Sequence, residues 1–390
     1  MDNFNCLNAV KVMRRQDVVK RKELIKNAKC VVIKIGTYVL TSDTGLNRER
    51  ISNIAKEIVE LRKQNIQVII VSSGAIGAGM KALGIGKHSL TISKKQAAAA
   101  IGQNKLMHTY EDILKKTGHH AAQILLTRDD FKSRLRYLNI RNTITELFKE
   151  NVIPIVNEND TVATDEIKFG DNDTLSALVA NLLDADLLIM LSNIDGLFTV
   201  DPKKNKQASL ISEVDKIRSK IESYASDSKT GAGGMLTKIT AAKMGTQSGV
   251  TVIIANGLKE NIVSRIMNGE KIGTIFFPKI DKRKTGRKKW IAFAHYIRGI
   301  IIVDEGAKQV LIRKGKSLLS TGIITTKGKY SIGDVVGIAD ARGKEFARGL
   351  VNYSDKDVEK IKGNKTSQIE DILGYKSYDE VIHRDNLVIL

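Results

Sequence analysis

At 390 residues the chain is longer than one hydrophobic core usually organises, so two domains are expected. Its 42% hydrophobic and 27% charged residues are an ordinary globular balance, and no apolar run approaches the ~20 residues that a bilayer span needs. The formal charge of +20 admits phosphorylated ligands, nucleic acid or anionic lipid, whereas two cysteines and six histidines without ligand spacing exclude a disulfide framework or zinc site and fit a reducing cytoplasm.

Residues 1–28 read as an N-terminal extension, in which Asp17 to Lys26 predicts a short basic helix. From Lys29 the pattern alternates. Apolar, β-branched runs at Cys30 to Ile35, Val68 to Val71, Gln123 to Leu126, Val152 to Val156, Leu187 to Leu191 and Val250 to Ala255 predict strands. Between them Asn47 to Gln64, Ser93 to Thr117, Leu135 to Glu150, Thr174 to Leu183 and Gly234 to Ser248 predict helices. Strands that are apolar throughout are buried on both faces and hence parallel. The expectation is an α/β chain: a three-layer α/β/α domain with a mainly parallel sheet over residues 29–277. Residues 278–298 form a basic linker, with seven basic residues and one acid between Lys279 and Lys289. Short strands at Gly299 to Val303, Gly322 to Thr326, Val335 to Ala339 and Phe346 to Val351, with glycine turns, predict a small, mostly β barrel-like domain over residues 299–390.

The chain is organised around Asn157 to Ala177, a polar loop rich in carboxylates and carboxamides that leaves one strand and enters an apolar helix. Loops at the carboxyl ends of parallel strands are where α/β proteins keep their sites. Capping by Asp173 or Thr174 and a turn at Asn157 to Asp160 would explain one or two of these residues, not the whole set. Three glycine-lined strand ends accompany it. Val31 to Thr37 places Lys34 in an apolar strand, where it is expected to face an anion. Val71 to Gly79 opens a strand into a helix through small residues and exposes N–H groups suited to a carboxylate or phosphate. Lys229 to Lys238 is a glycine-rich loop feeding a helix with a lysine in its first turns. Two lysines, N–H nests and carboxylates together suit phosphoryl transfer, in which positioning and charge neutralisation do nearly all the catalysis.

The strings VVIKIGTYVL, VSSGAIGAG, SKKQAAAAIGQ, LLTRDD, VIPIVNENDTVAT, FGDNDTLSALVA, DGLFTVDP and GGMLTK, in this order, resemble the glutamate 5-kinase branch of the amino-acid kinase family. Beyond them VDEGA, LLSTGI, GDVV and ILGY resemble the PUA domain fused to many bacterial members. The resemblance implies ATP-dependent phosphorylation of the glutamate γ-carboxylate to L-glutamyl 5-phosphate, the first step of proline biosynthesis. It also implies Mg²⁺, feedback inhibition by proline and a homo-oligomer in the cytoplasm. By position, Ser73, Asp160 and Asn172 match the glutamate-binding residues. Lys34 and Lys238 match the lysines that clamp the transferring phosphoryl group, and Asp173 the carboxylate that orients them. The ATP side is expected from Lys34, Ser192, Asn193 and the run Ala232, Gly233, Gly234, Met235, Leu236, Thr237 and Lys238; no protein metal ligand is expected. Two departures stand out, Ser192-Asn193 for the family's usual Thr-Asp and Ala232 for a common threonine. Acetylglutamate, aspartate and uridylate kinases share the fold, but the NENDTVAT and FGDNDTLSA pairing argues against each. RNA binding through the PUA domain and linker is not favoured, because no aromatic residues interleave the lysines.

Overall fold

The structure, a computed structural model, describes residues 21–42, 45–86, 91–162, 172–202, 204–217, 221, 224, 234–278, 291 and 297–390, apart from the side chains at 132, 134 and 135. The first 20 residues of the extension, the Lys279 to Lys289 stretch, residues 163–171 of the central loop, and Ala232 and Gly233 lie outside the described residues. The chain divides into two compact units, Met1–Arg283 and Lys284–Leu390.

In the first unit residues 21–26 are helical, as the basic-helix expectation for that stretch requires. Strands follow at β1 (Cys30–Ile35), β2 (Thr41–Ser42), β3 (Gly45–Leu46), β4 (Gln67–Ser72), β5 (Ala121–Leu126), β6 (Ile153–Glu158), β7 (Leu187–Ser192), β8 (Leu197–Phe198), β9 (Leu210–Ile211), β10 (Glu213–Val214), β11 (Thr251–Asn256) and β12 (Thr274–Phe276). Eight of them form one sheet in the order β10-β12-β11-β7-β1-β4-β6-β5. Every neighbouring pair is parallel except β11–β12. That exception was not anticipated: β12 lies after the short helix Ile262–Met267 and turns back along β11 antiparallel, with Ile253 opposite Ile275.

The helices form for local reasons. In Arg48–Lys63, Asn47 accepts from Arg50 N at 3.0 Å as the N-cap, and Ile51, Ile54, Ala55, Ile58 and Val59 make a buried stripe. That stripe shares a core with Val31, Ile33 and Ile35 of β1 and with residues of helices Ile92–Lys115 and Ile262–Met267. Since strand side chains alternate, Val32 and Lys34 face the opposite side, where helix Asn172–Leu182 packs. The sheet is therefore covered on both faces.

Helices Ala75–Ala82 and Ile92–Lys115 meet backbone to backbone. A Cβ on Gly79 would stand 1.7 Å from the Ala98 carbonyl oxygen, and one on Gly102 would stand 1.7 Å from that of Ala75. Only glycine allows that approach.

The second unit is a five-stranded sheet ordered β14-β13-β15-β16-β17, from β13 (Gly299–Val303), β14 (Ile323–Gly328), β15 (Val335–Ala339), β16 (Glu345–Leu350) and β17 (Leu387–Ile389). It has its own core, including Ile301, Val303, Val336, Ile338, Tyr353 and Ile361. It also holds helices Glu305–Lys314, Asp355–Ile361 and Ile369–Leu373, which the turn-rich sequence pattern hid. Among the described residues no helix is long and apolar enough to cross a membrane.

Candidate active site

Four parallel strands, β7, β1, β4 and β6, bring their carboxyl ends to one edge of the sheet. All six residues of β1 are buried, so Lys34 reaches that edge through the apolar interior. Gly36 follows it, and a Cβ there would lie 3.1 Å from the Leu191 oxygen and 3.6 Å from Lys34 Nζ. A side chain at 36 would crowd the ammonium.

The ammonium meets Asp173, which is 1% exposed near the start of helix Asn172–Leu182. Lys34 Nζ lies 2.5 Å from Asp173 Oδ1, and Lys238 Nζ lies 3.0 Å from Oδ2. Thr237 Oγ1 also donates to Oδ2, at 2.8 Å. Lys238 is 4% exposed and sits in the first turns of helix Met235–Gln247, as its sequence position implied. Burial alone would push the Asp173 carboxyl up, but the two ammonium groups outweigh it and lower the pKa to about 2. Asp173 is therefore ionised at any physiological pH, and as the acidic residue of the helix's first turn it is held by two lysines. One buried carboxylate holding two buried ammonium groups leaves a net positive centre, which suits an anion brought to it.

A second constellation adjoins the first through Asn172. Its Nδ2 donates towards Ser72 O at 3.0 Å, Ser73 Oγ at 3.1 Å and Asn157 Oδ1 at 2.9 Å. Ser73 directly follows β4 and donates its own N–H to Ile35 O, so it is tied to the strand that carries Lys34. Gly74 caps helix Ala75–Ala82 at φ +100°, a left-handed conformation that favours glycine and turns the chain sharply after Ser73. Asp160 is half-buried just beyond β6. Ser192 is buried at the end of β7 with Oγ 3.4 Å from Asn193 Oδ1, and Asn193 is exposed. Gly234 is the N-cap of the Lys238 helix and Met235 and Leu236 are its first residues, with Leu236 exposed.

The structure thus brings together Lys34, Asp173, Lys238, Asn172 and Ser73. Sequence reasoning missed the direct contact of Thr237 with Asp173; it gave Asn157 only a place at the start of the central polar stretch, or in a turn, where the structure has it in β6, and it gave Gln103 no role. Both had been inside quoted motifs, but neither carries a charge to draw attention. Among the described residues no group of three or more His, Cys, Asp or Glu gathers as a metal cage.

Two oriented lysines at the carboxyl edge of a doubly covered parallel sheet define a phosphotransferase-like α/β protein. The chain belongs to the amino acid kinase family, and within it to the glutamate 5-kinases. The amino acid kinase family model matches residues 29–256, and the PUA domain model matches residues 299–373. Glutamate 5-kinase from Caldanaerobacter subterraneus is 52% identical over 92% of this chain and 97% of its own. The enzyme of the same name from Citrifermentans bemidjiense is 48% identical over 95% of this chain and 100% of its own. A solved carbamate kinase from Giardia lamblia bound to AMP-PNP covers 65% of this chain and 100% of its own, with a TM-score of 0.47 and 17% identity.

Proposed function

We propose that this chain phosphorylates the γ-carboxylate of L-glutamate with ATP, giving L-glutamyl 5-phosphate and ADP, the first step of proline biosynthesis. The observation that carries this reading is the bridge of two buried lysines on Asp173 beside the Asn172–Ser73 group, in a chain about half identical to glutamate 5-kinases along nearly its whole length.

The chemistry is a problem of charge. A γ-carboxylate is ionised at neutral pH, so the nucleophile needs no general base. Two anions must instead be held in line. Lys34 and Lys238 offset their repulsion and the charge that develops on the equatorial oxygens. Asp173 keeps the two ammonium groups apart and aimed, while Ser73, Asn172 and Asp160 hold the amino acid, with Asp160 the partner of its ammonium. Ser192, Asn193 and the run Ala232 to Lys238 take the nucleotide. Both oxygens of Asp173 are engaged by side chains, which leaves it poorly placed to bind a metal. Magnesium accordingly enters as a complex with the triphosphate, part of the co-substrate.

Proline inhibition, a homo-oligomer and a cytoplasmic location accompany this reading. The domain roles are catalysis in residues 29–277 and an accessory part for the PUA domain. A coupled assay for ADP release, run with glutamate, aspartate and N-acetylglutamate in parallel, tests the substrate. Release with glutamate alone is expected, and equal release with either analogue would overturn the assignment.

A further inference from the structure

Helix Ile92–Lys115 supplies none of the expected ligand-contacting residues, yet two of its buried polar side chains reach the strands that build the glutamate pocket. Gln103 and Tyr110 are seven residues apart, two turns along one face. Tyr110 OH lies 3.1 Å from Ser72 Oγ. Ser72 Oγ in turn donates to Ser73 O, leaving the phenol to donate. Gln103 Oε1 accepts from Asn157 Nδ2 at 2.8 Å, and Gln103 Nε2 donates to Gln123 Oε1 at 3.2 Å.

Two backbone groups of single polarity set the sense of these amides. The Glu158 N–H can only donate, and it reaches Asn157 Oδ1 at 2.9 Å. The Ser72 carbonyl can only accept, and it takes Asn172 Nδ2. Asn157 must then turn its own NH₂ away from Asn172, and Gln103 Oε1 is the acceptor that receives it. Asn172 keeps its Oδ1 buried with no hydrogen-bond partner among the described residues. A buried amide oxygen of this kind calls for a donor. The ammonium of an amino-acid substrate supplies one, whereas its carboxylates do not.

We propose that Gln103 is a positioning residue of the substrate pocket: it holds the Asn157 amide in one sense and so keeps Asn172 Oδ1 as the acceptor offered to the amino acid. Without Gln103 Oε1, Asn157 Nδ2 is orphaned in a site that is 1% exposed. Rotating the amide to recover a partner would set its NH₂ against the Asn172 NH₂, and Asn172 would have to turn as well. The inference rests on the reading of Asn172 as a glutamate-binding residue, and its test separates the two.

The experiment compares Gln103→Met, Gln103→Glu, Asn172→Ala and the Gln103→Met/Asn172→Ala double variant by steady-state kinetics, with thermal melts to establish folding. Gln103→Met is expected to raise the glutamate KM about tenfold, the worth of one buried hydrogen bond, while the ATP KM stays put. Gln103→Glu should recover most of that loss, since a carboxylate still accepts from Asn157 and Gln123 can turn its amide to donate. In the Asn172→Ala background, Gln103→Met should add nothing to the glutamate KM, because both act through one oxygen. An unchanged glutamate KM in Gln103→Met, a Gln103→Glu as impaired as Gln103→Met, or additive effects in the double variant each overturn the proposal. An Asn172→Ala with normal glutamate KM overturns the underlying pocket assignment instead. If Gln103→Met does not fold, Gln103→Asn, one methylene too short to reach Asn157, replaces it with the same expected rise and the same overturning result.

Discussion

Lys34 and Lys238 approach opposite oxygens of a single carboxylate, from a strand and from a helix more than 200 residues later in the chain. Each ammonium is thus fixed before any ligand arrives, which spares reorganisation when charge develops on the phosphoryl group. Lys238→Met should therefore lower kcat by about 10²- to 10³-fold while the glutamate KM changes little, because a charge felt mainly in the transition state acts on turnover. Initial-rate kinetics with near wild-type kcat would remove Lys238 from the catalytic set. Asp173 adds a pH signature. Its pKa is depressed to about 2, so its stabilising contribution is present above the unfolded carboxyl value near 4 and is lost as pH falls through about 2. The stability gap between wild type and Asp173→Asn should hold steady from neutrality to about pH 4 and narrow below it. Urea melts across that range measure the gap, and one that stays constant into strong acid would contradict the ion-pair account. At this scale the charged residues were readable, because a lysine in an apolar strand and a carboxylate opening an apolar helix are costly without partners. Gln103 and Tyr110 were not. A neutral polar residue on a helix face gives no such signal until its partners are known.

The elements around the site were legible where the hydrophobic pattern ran long. The first unit's predicted strands and helices lie within about two residues of the observed ones, since strands buried on both faces read as continuous apolar runs. Three-residue β12 and helix Ile262–Met267 were too short for any periodicity to register, and the helices of the second unit lay among glycine turns. What no pattern could give was the intimacy of helices Ala75–Ala82 and Ile92–Lys115, which depends on glycines meeting backbone oxygens. That contact matters to the site, because one helix begins just after Ser73 and the other carries Gln103 one residue past Gly102. Gly102→Ala must force the helices apart, so a loss of about 1–3 kcal/mol is expected, with a raised glutamate KM alongside. Calorimetry and kinetics test this together. A Gly102→Ala variant with wild-type melting temperature would mean that the helices separate without strain.

At the scale of the molecule, each unit has a core of its own, one drawing on residues from Ile25 to Phe277 and the other on residues from Ile301 to Leu387. Every residue proposed to touch substrate or nucleotide lies in the first. Truncation after Pro278 is therefore expected to leave an active kinase whose ADP release with glutamate stays within about threefold of the full chain, since the first unit closes a hydrophobic core of its own. The charge distribution bears on what the second unit is for. Residues 299–390 nearly balance their lysines and arginines with aspartates and glutamates, so the excess of +20 belongs almost wholly to the residues before Gly299. A unit so nearly neutral lacks the electrostatic footprint of sequence-independent nucleic-acid binding, and the basic run from Lys279 to Lys289 has no aromatic residue with which to stack a base. Comparing RNA binding of the full chain and the truncated form across salt decides the matter. Weak binding without a steep slope is expected of both. Micromolar binding by the full chain alone, with log K falling by about 0.7–0.9 per phosphate contact for each log unit of salt, would instead give the second unit and its linker a nucleic-acid role. A folded but inactive truncation would show that catalysis depends on residues beyond Pro278.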